Sequence, residues 1–478
     1  MLFNSLDFGI FLLIIFFIYW ILLKDNLKSQ NLLLLISSYY FYSYWDNRFL
    51  FLLIFSTLVD YLIGIKIQKI TLKKNKLFWL WFSISLNLGV LVVFKYFNFF
   101  IEGFKNGALL FGYDINTYSL NIILPIGISF YTFHGLSYVI DIYKNKIIPE
   151  KNLINYSLFV SFFPLLVAGP IERATHLLPQ IKHKREFDYR KTVDGLRQIL
   201  WGFFKKIVIA DSCAGYSDMI FNHSIEYSGS THVIGAFFFA IQIYCDFSGY
   251  SDIAIGTARL FGIELLRNFS FPYFSRDIAE FWRRWHISLS SWFKDYVYIP
   301  LGGNKVSRQK IIRNVFIIFI LSGLWHGANV TYIIWGLLHS FYILPSILFK
   351  TNRKNLDIVA KGKIFPTFKE FTSMLITFSL VVFAWIFFRA ENINQALEYL
   401  SILFSHTLFQ LPDLMPIPLL LLLLCFIIIE WYGREELYAI SNLFMEKKRI
   451  YRWSFYLILL LFIYSSSGKQ IEFIYFQF

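Results

Sequence analysis

Residues 77–100 read LFWLWFSISLNLGVLVVFKYFNFF. An apolar run of that length meets the roughly 20 residues a helix needs to cross a hydrocarbon core. Hydrocarbon offers the backbone no water to bond, so a spanning run satisfies its own peptide groups only as a helix. Comparable runs recur at Phe8–Leu23, Phe49–Ile65, Phe371–Phe388 and Pro416–Ile429. Over the whole chain 57% of residues are hydrophobic and 16% charged, with mean hydropathy +0.54. A water-soluble domain of that balance would aggregate. The expected fold is an all-α polytopic integral membrane protein in contact with membrane lipid, a single domain over residues 1–478 with about 11–12 transmembrane helices.

The first nine residues carry no Lys or Arg, and no small-residue cleavage site follows Leu23. The first apolar segment is therefore expected to be retained as a span. Cys213, Cys245 and Cys425 are far apart and form no CxxC, which points to packing cysteines and to no metal site. The formal net charge is +14, a value that first suggests nucleic acid. Its placement argues otherwise. The basic clusters are Lys24–Lys28, Lys66–Lys76, Lys144–Lys151, Arg173–Lys206, Arg259–Arg313, Lys350–Lys369 and Arg434–Arg452. They alternate with basic-poor loops at Asp46–Arg48, Ile101–Ser119, Ser212–Thr231 and Glu391–Asp413. That is the pattern of the positive-inside rule, with the first set cytoplasmic and both termini outside.

Three stretches break this zigzag. LFVSFFPLLVAGPIER, residues 158–173, is interrupted by Pro164 and Gly169-Pro170 between basic loops, which suits a re-entrant segment. QIYCDFSGYSDIAIG, residues 242–256, places Asp246 and Asp252 inside a lipophilic helix. Such carboxylates are either tied to a neighbouring Arg or help to shape a chamber. FWRRWHISLSSWFKDYVYIPLGGNK, residues 281–305, puts Trp282, His286, Leu289 and Phe293 on one face if it is a continuous helix. With Arg283, Arg284 and Lys294 it is either a surface helix on anionic lipid or a second re-entrant segment.

Residues 314–340 read NVFIIFILSGLWHGANVTYIIWGLLHS. His326 lies 13 residues beyond Arg313, which lifts it roughly 20 Å into a core about 30 Å thick. Gly323 and Gly327 leave room for close backbone approach. Burial disfavours charged imidazole, and a neutral one can take a proton from an attacking hydroxyl. A membrane histidine can equally be a hydrogen-bonded packing residue, the reading given to His339. The residues alone define a proton-handling site and no particular reaction.

QIYCDFSGYSDIAIG, EFWRRWHISLSSWFKDYVYIPLGGNK and SGLWHGANVTYIIWGLLHS, in that order, resemble the membrane-bound O-acyltransferase family. The likeness is to its bacterial branch of alginate and peptidoglycan O-acetylation membrane subunits. The opening LFNSLDFGIFLL and the ending FIYFQF resemble that branch too, so the likeness runs nearly end to end. It implies a ring of tilted helices around a central chamber in the bacterial cytoplasmic (inner) membrane. It also implies His326 as the catalytic histidine and His286 as its second characteristic histidine. The resemblance further implies no bound cofactor, with acetyl-CoA or an acetyl group derived from it as the acyl donor. It implies an extracytoplasmic polysaccharide as the acceptor, reached through a secreted or membrane-anchored SGNH-type acetyltransferase. Arg283, Arg284 and Lys294 would meet donor phosphates, and Trp325 or Asn329 would donate to the developing oxyanion. D-alanyl transfer to teichoic acid is an alternative within the family. A glycan or lipid transporter without covalent chemistry is the alternative outside it, and the lack of an evident internal repeat argues against that.

The chain ends in KQIEFIYFQF, residues 469–478. Ten extended residues reach roughly 33 Å, enough to return into an outward-facing chamber. Tyr475 carries the only hydroxyl of that tail and is a candidate acyl relay. The other reading of the tail is an aromatic anchor at the lipid surface.

Overall fold

Residues 77–100 lie within one continuous helical rod, Lys73–Leu110. The computed structural model describes residues 1, 3–115, 123–167, 169–468 and 473–474, with no strand among them. Five of the described helices are long and apolar enough to cross a membrane: Asn47–Lys69, Lys73–Leu110, Gly229–Leu260, Val330–Leu348 and Phe368–Arg389. Leu6–Leu22 and Ile417–Tyr432 are apolar but shorter. This is a multi-pass membrane protein. Other described helices are shorter or carry charge at one end. Ile128–Tyr143 has 16 residues, a rise of about 24 Å against a core of about 30 Å. Arg308–His326 opens with Arg308, Lys310 and Arg313.

The chain forms two compact units, residues 1–192 with 257–266, and residues 193–256 with 267–478. In the first are α1 (Leu6–Phe17), α2 (Leu27–Ser43), α3 (Asn47–Lys69), α4 (Lys73–Leu91), α5 (Ile128–Tyr143), α6 (Leu153–Ser161) and α7 (Ala174–Lys182). Its helices are inside out relative to a soluble bundle. On α3 and α4 the exposed side chains include Phe51, Phe55, Leu62, Phe78 and Trp81, whereas Ser56, Thr57, Asp60, Ser83 and Asn87 are buried. Asp60 Oδ1 accepts from the Ser83 hydroxyl at 2.7 Å and from Asn87 Nδ2 at 3.0 Å. Lipid solvates the apolar face, so polar groups turn inward and serve as the glue between helices. Residues 158–173 are broken as their Pro and Gly predict: α6 stops at Ser161, and a single turn, Phe163–Leu166, follows.

The second unit contains α8 (Tyr189–Phe203), whose first turn belongs to the first unit, and α9 (Gly229–Leu260), whose last turn (257–260) also belongs to the first unit. It continues with α10 (Ile278–Arg284), α11 (Ile287–Phe293), α12 (Arg308–His326), α13 (Val330–Leu348), α14 (Phe368–Arg389), α15 (Ile417–Tyr432) and α16 (Arg449–Ser466). Burial separates the spans: 83% of the apolar window of α9 is inside the protein, against 22% for Lys73–Leu110. So α9 is an interior helix, and that explains why it tolerates two aspartates.

Glycine sets the spacing of the α12–α13 hairpin. A Cβ on Gly323 would stand 2.3 Å from the Tyr332 carbonyl oxygen, and one on Gly336 would stand 2.3 Å from that of Phe319. Each helix therefore rests its backbone on the other, the small-residue packing that membrane helices use. Asn329 starts α13 by accepting from the Thr331 N–H at 3.0 Å, which holds the short connection after His326.

Two sequence expectations are corrected here. Residues 281–305 are not one continuous helix. The chain leaves α10 after Arg284, and His286 takes a left-handed conformation with φ 42° before α11 starts. The backbone bonds Ser270 N–H to Arg284 O (3.0 Å) and Ile287 N–H to Asn268 O (2.8 Å) hold the break open. Second, Lys205 and Lys206, counted above as loop charges, are buried in the π-helical continuation of α8.

The hairpin contact predicts a contrast among glycine substitutions. Gly323→Ala and Gly336→Ala each lose about 1–3 kcal/mol from overpacking, seen as a lower thermal midpoint in detergent. Gly9→Ala and Gly89→Ala, with open space where the methyl would go, leave the midpoint near wild type.

Candidate active site

His326 ends α12 and is 3% exposed; His286, in the turn between α10 and α11, is 1% exposed. A single indole joins them. The Trp325 ring lies 4.9 Å from His326 and 5.7 Å from His286, edge-on to both. Trp335 (5.2 Å) and Phe388 (5.0 Å) pack on the other sides of His326, and Phe247 packs on His286 at 4.6 Å. Both imidazoles are thus packed among aromatic rings, which give them dispersion and edge-to-face contacts.

Helical periodicity alone would not have placed His286 here. Its left-handed backbone costs of order 1–2 kcal/mol for a residue with a Cβ, so the surroundings must impose it. Asn268 supplies part of that constraint. Its Nδ2 donates to Ser251 Oγ on α9 at 2.9 Å, and its Oδ1 accepts from the Ser288 hydroxyl on α11 at 2.6 Å.

Asp246 and Asp252, one helical face apart on α9, are tied to lysines and not to an arginine. Lys206 Nζ stands 2.8 Å from Asp246 and 2.9 Å from Asp211. Lys205 Nζ stands 2.6 Å from Asp252, whose other oxygen accepts from Gln198 at 2.7 Å. Beside this second pair, the Tyr244 hydroxyl donates to Glu430 at 2.6 Å. Asp252 thus belongs to a packed polar cluster, lining a cavity of about 30 Å³ with Lys205 and Glu430.

Asp246 has a further partner. It accepts the Ile474 N–H at 2.7 Å. The adjoining Phe473 is fully buried, 4.2 Å from the Tyr250 ring and 6.1 Å from Phe247. These two tail residues are therefore held inside the protein, which removes the lipid-surface anchor as their role. Tyr475 lies outside the described residues.

The basic candidates separate. Arg284 is buried, with its guanidinium 2.8 Å from Glu280 and also on the Ser270 carbonyl. Glu280 holds Arg276 as well, at 3.1 Å. Arg284 is therefore a structural cation and is not available to a donor. Arg283 donates to the Asn352 and Asn355 carbonyls but also lines a cavity of about 530 Å³ together with Lys294, Arg308 and Lys350. The same cavity is also lined by apolar Val315, Phe319 and Ile347. Asn329 is corrected too: its oxygen caps α13 and its Nδ2 donates to the Glu391 carbonyl at 2.6 Å, so both ends of the amide serve the fold.

Sequence reasoning passed over Lys205, Lys206 and Asn268. The lysine doublet has apolar residues on both sides, WGFF and IVIA, and that context was the available signal. His339 is a packing histidine, as expected. Its Nδ1 accepts from Trp282 Nε1 at 3.3 Å, and it shares Trp335 with His326 at 5.0 Å.

The described residues form a helical, multi-pass protein in which two histidines share one indole neighbour. A family model, described as MBOAT, membrane-bound O-acyltransferase family, matches residues 144–378. The probable alginate O-acetylase AlgI of Pseudomonas aeruginosa is 38% identical over 417 residues, 86% of this chain and 78% of that protein. Its counterpart in Pseudomonas putida is 35% identical over 479 residues, 94% and 95% of the two chains. The peptidoglycan O-acetyltransferase of Helicobacter pylori is 37% identical over 387 residues, 76% and 71% of the two. The chain belongs to the membrane-bound O-acyltransferase family and is an acyltransferase enzyme.

The conformation of His286 yields a test. His286→Gly, which needs no Cβ in the left-handed region, should be about 1 kcal/mol more stable than His286→Ala. Thermal midpoints of the two purified variants measure the difference.

Proposed function

We propose that the chain passes an acetyl group from a cytoplasmic donor across the bacterial inner membrane, for O-acetylation of an extracytoplasmic polysaccharide. The contact of Trp325 with both His286 and His326 carries this reading, because it joins the two histidines in one buried aromatic centre. The whole chain acts as one catalytic domain, with residues 158–173 and 281–305 re-entrant and both termini outside.

The donor is acetyl-CoA or an acetyl thioester derived from it. Its phosphates meet Lys294 and Arg283, in the cavity that apolar side chains also line. His286 lines the donor side and Trp325 positions His326. His326 takes the proton of an attacking hydroxyl as that oxygen bonds to the acetyl carbonyl carbon. The carbon–sulfur bond then breaks, and the thiolate leaves with the proton returned by the imidazolium.

The attacking hydroxyl is that of Tyr475. The clip of Ile474 N–H on Asp246, and the burial of Phe473 beside Phe247, support this step. The resulting acetyl-tyrosine ester is handed to an SGNH-type acetyltransferase on the outer side, and the tyrosine hydroxyl is regenerated. The names of the similar proteins favour alginate-like exopolysaccharide or peptidoglycan as the final acceptor.

His326→Ala should lower ester-linked acetyl on envelope glycans at least about a hundredfold, read by mass analysis of isolated glycan. Persistent acetylation with reduced glycan export would point to a transporter instead. Tyr475→Phe keeps the ring and removes only the hydroxyl, so acetylation should fall to background. Wild-type acetyl levels in that variant would sink the relay while leaving His326 in place.

A further inference from the structure

The first unit holds a cation that its fold does not neutralise. Arg185 lies between α7 and α8 and is 5% exposed. Its Nη2 donates to Asn31, and its guanidinium stands over the Tyr19 ring at 5.5 Å. Both neighbours are neutral. Among the described residues, Arg185 Nε and Nη1 are buried with no hydrogen-bond acceptor. A buried charged donor without an acceptor is costly enough that native folds rarely keep one, so the two N–H groups call for an anion.

The surroundings say which kind. Arg185 lines a cavity of about 810 Å³ whose wall also carries Lys184, Arg190, Lys191 and Arg259. Glu186 and Asp188 are the carboxylates on that wall, and Asp188 is taken up in accepting the Arg190 and Lys191 N–H groups. Asp25 lies 3.3 Å from Lys184, and Glu264 lies 3.4 Å from Lys191 and 3.2 Å from Arg259. The two lysine pairs involve half-exposed side chains and are weak, whereas Arg259 is buried and engaged by Glu264; none of these pairs involves Arg185. Trp20 also lines the cavity, at the end of an apolar helix whose Phe17, Ile21 and Leu22 are exposed. The cavity therefore opens where a hydrocarbon-facing surface ends, at the depth of lipid headgroups.

We infer that this cavity is a phosphate-binding site, with Arg185 as its buried anchor and Arg190 and Lys191 at its rim. Guanidinium matches the oxygens of a phosphate better than any other side chain. Basic pockets between helices take anionic headgroups in this way, and the neighbouring apolar surface favours a lipid over a soluble phosphate. The site lies within the first unit and shares no residue with the histidine centre, so it holds whatever the acyl route proves to be.

The test uses the full chain purified in a neutral detergent, with the thermal midpoint as readout. Dioleoylphosphatidylglycerol should raise the midpoint, whereas dioleoylphosphatidylcholine should not. Arg185→Gln should abolish the response. Because Arg185 is buried, Arg190→Gln/Lys191→Gln, altered only at exposed positions, provides a second arm that does not disturb the interior. It should need at least about tenfold more phosphatidylglycerol for the same shift. If inorganic phosphate raises the midpoint at matched ionic strength and the lipid does not, the site is for a soluble phosphate. If neither probe acts, or the rim variant responds to both as wild type does, the site does not exist.

Discussion

Inside a bilayer a polar or charged group has no water to fall back on, so each must find its partner within the protein. That constraint organises this chain more than any hydrophobic core does. Asp60 is held by Ser83 and Asn87, Asp246 by Lys206, and Asp252 by Lys205 and Gln198. Breaking one side of such a pair leaves an uncompensated charge, worth about 3–5 kcal/mol. The apolar residues are nearly free to face lipid, as the exposed Phe51, Phe78 and Trp81 do. Inward polarity decides which helix faces meet.

The same constraint shapes the active centre. Two lysine–aspartate pairs anchor α9, and Asn268 ties that helix to the turn carrying His286. The glycine-seated hairpin of α12 and α13 brings His326 to Trp325, Trp335 and Phe388. The two histidines thus come from separate local structures, each rigid for its own reason. One is a strained turn enforced by hydrogen bonds, the other a helix end enforced by backbone contact. Both devices fix the position of the imidazole they carry.

Legibility in the sequence followed how local each cause is. The apolar runs, the Pro and Gly breaks at 158–173 and the Gly323–His326–Gly327 pattern could be read, because neighbours in the chain produce them. The break at His286 could not. Residues 281–293 satisfy helical periodicity, and only the bonds from Ser270 and Asn268 interrupt it. Arg284 and Asn329 looked available for chemistry because Glu280 and the Glu391 carbonyl, which engage them, are not evident as partners in a list of charges. Lys205 and Lys206 were counted with a loop for the same reason.

By itself, then, the sequence determined that the protein lives in lipid as helices, that a histidine sits deep among them, and that its motifs are those of an acyltransferase family. Tertiary structure alone decided which charges are already cancelled and which are left to act. It assigned Arg284 to Glu280, Asp246 to Lys206 and Ile474, and left two nitrogens of Arg185 without an acceptor among the described residues. The physical reason is range. Partition into lipid is a sum over residues near in the chain, whereas the neutralisation of a buried charge depends on a few ångströms between residues that can be hundreds of positions apart.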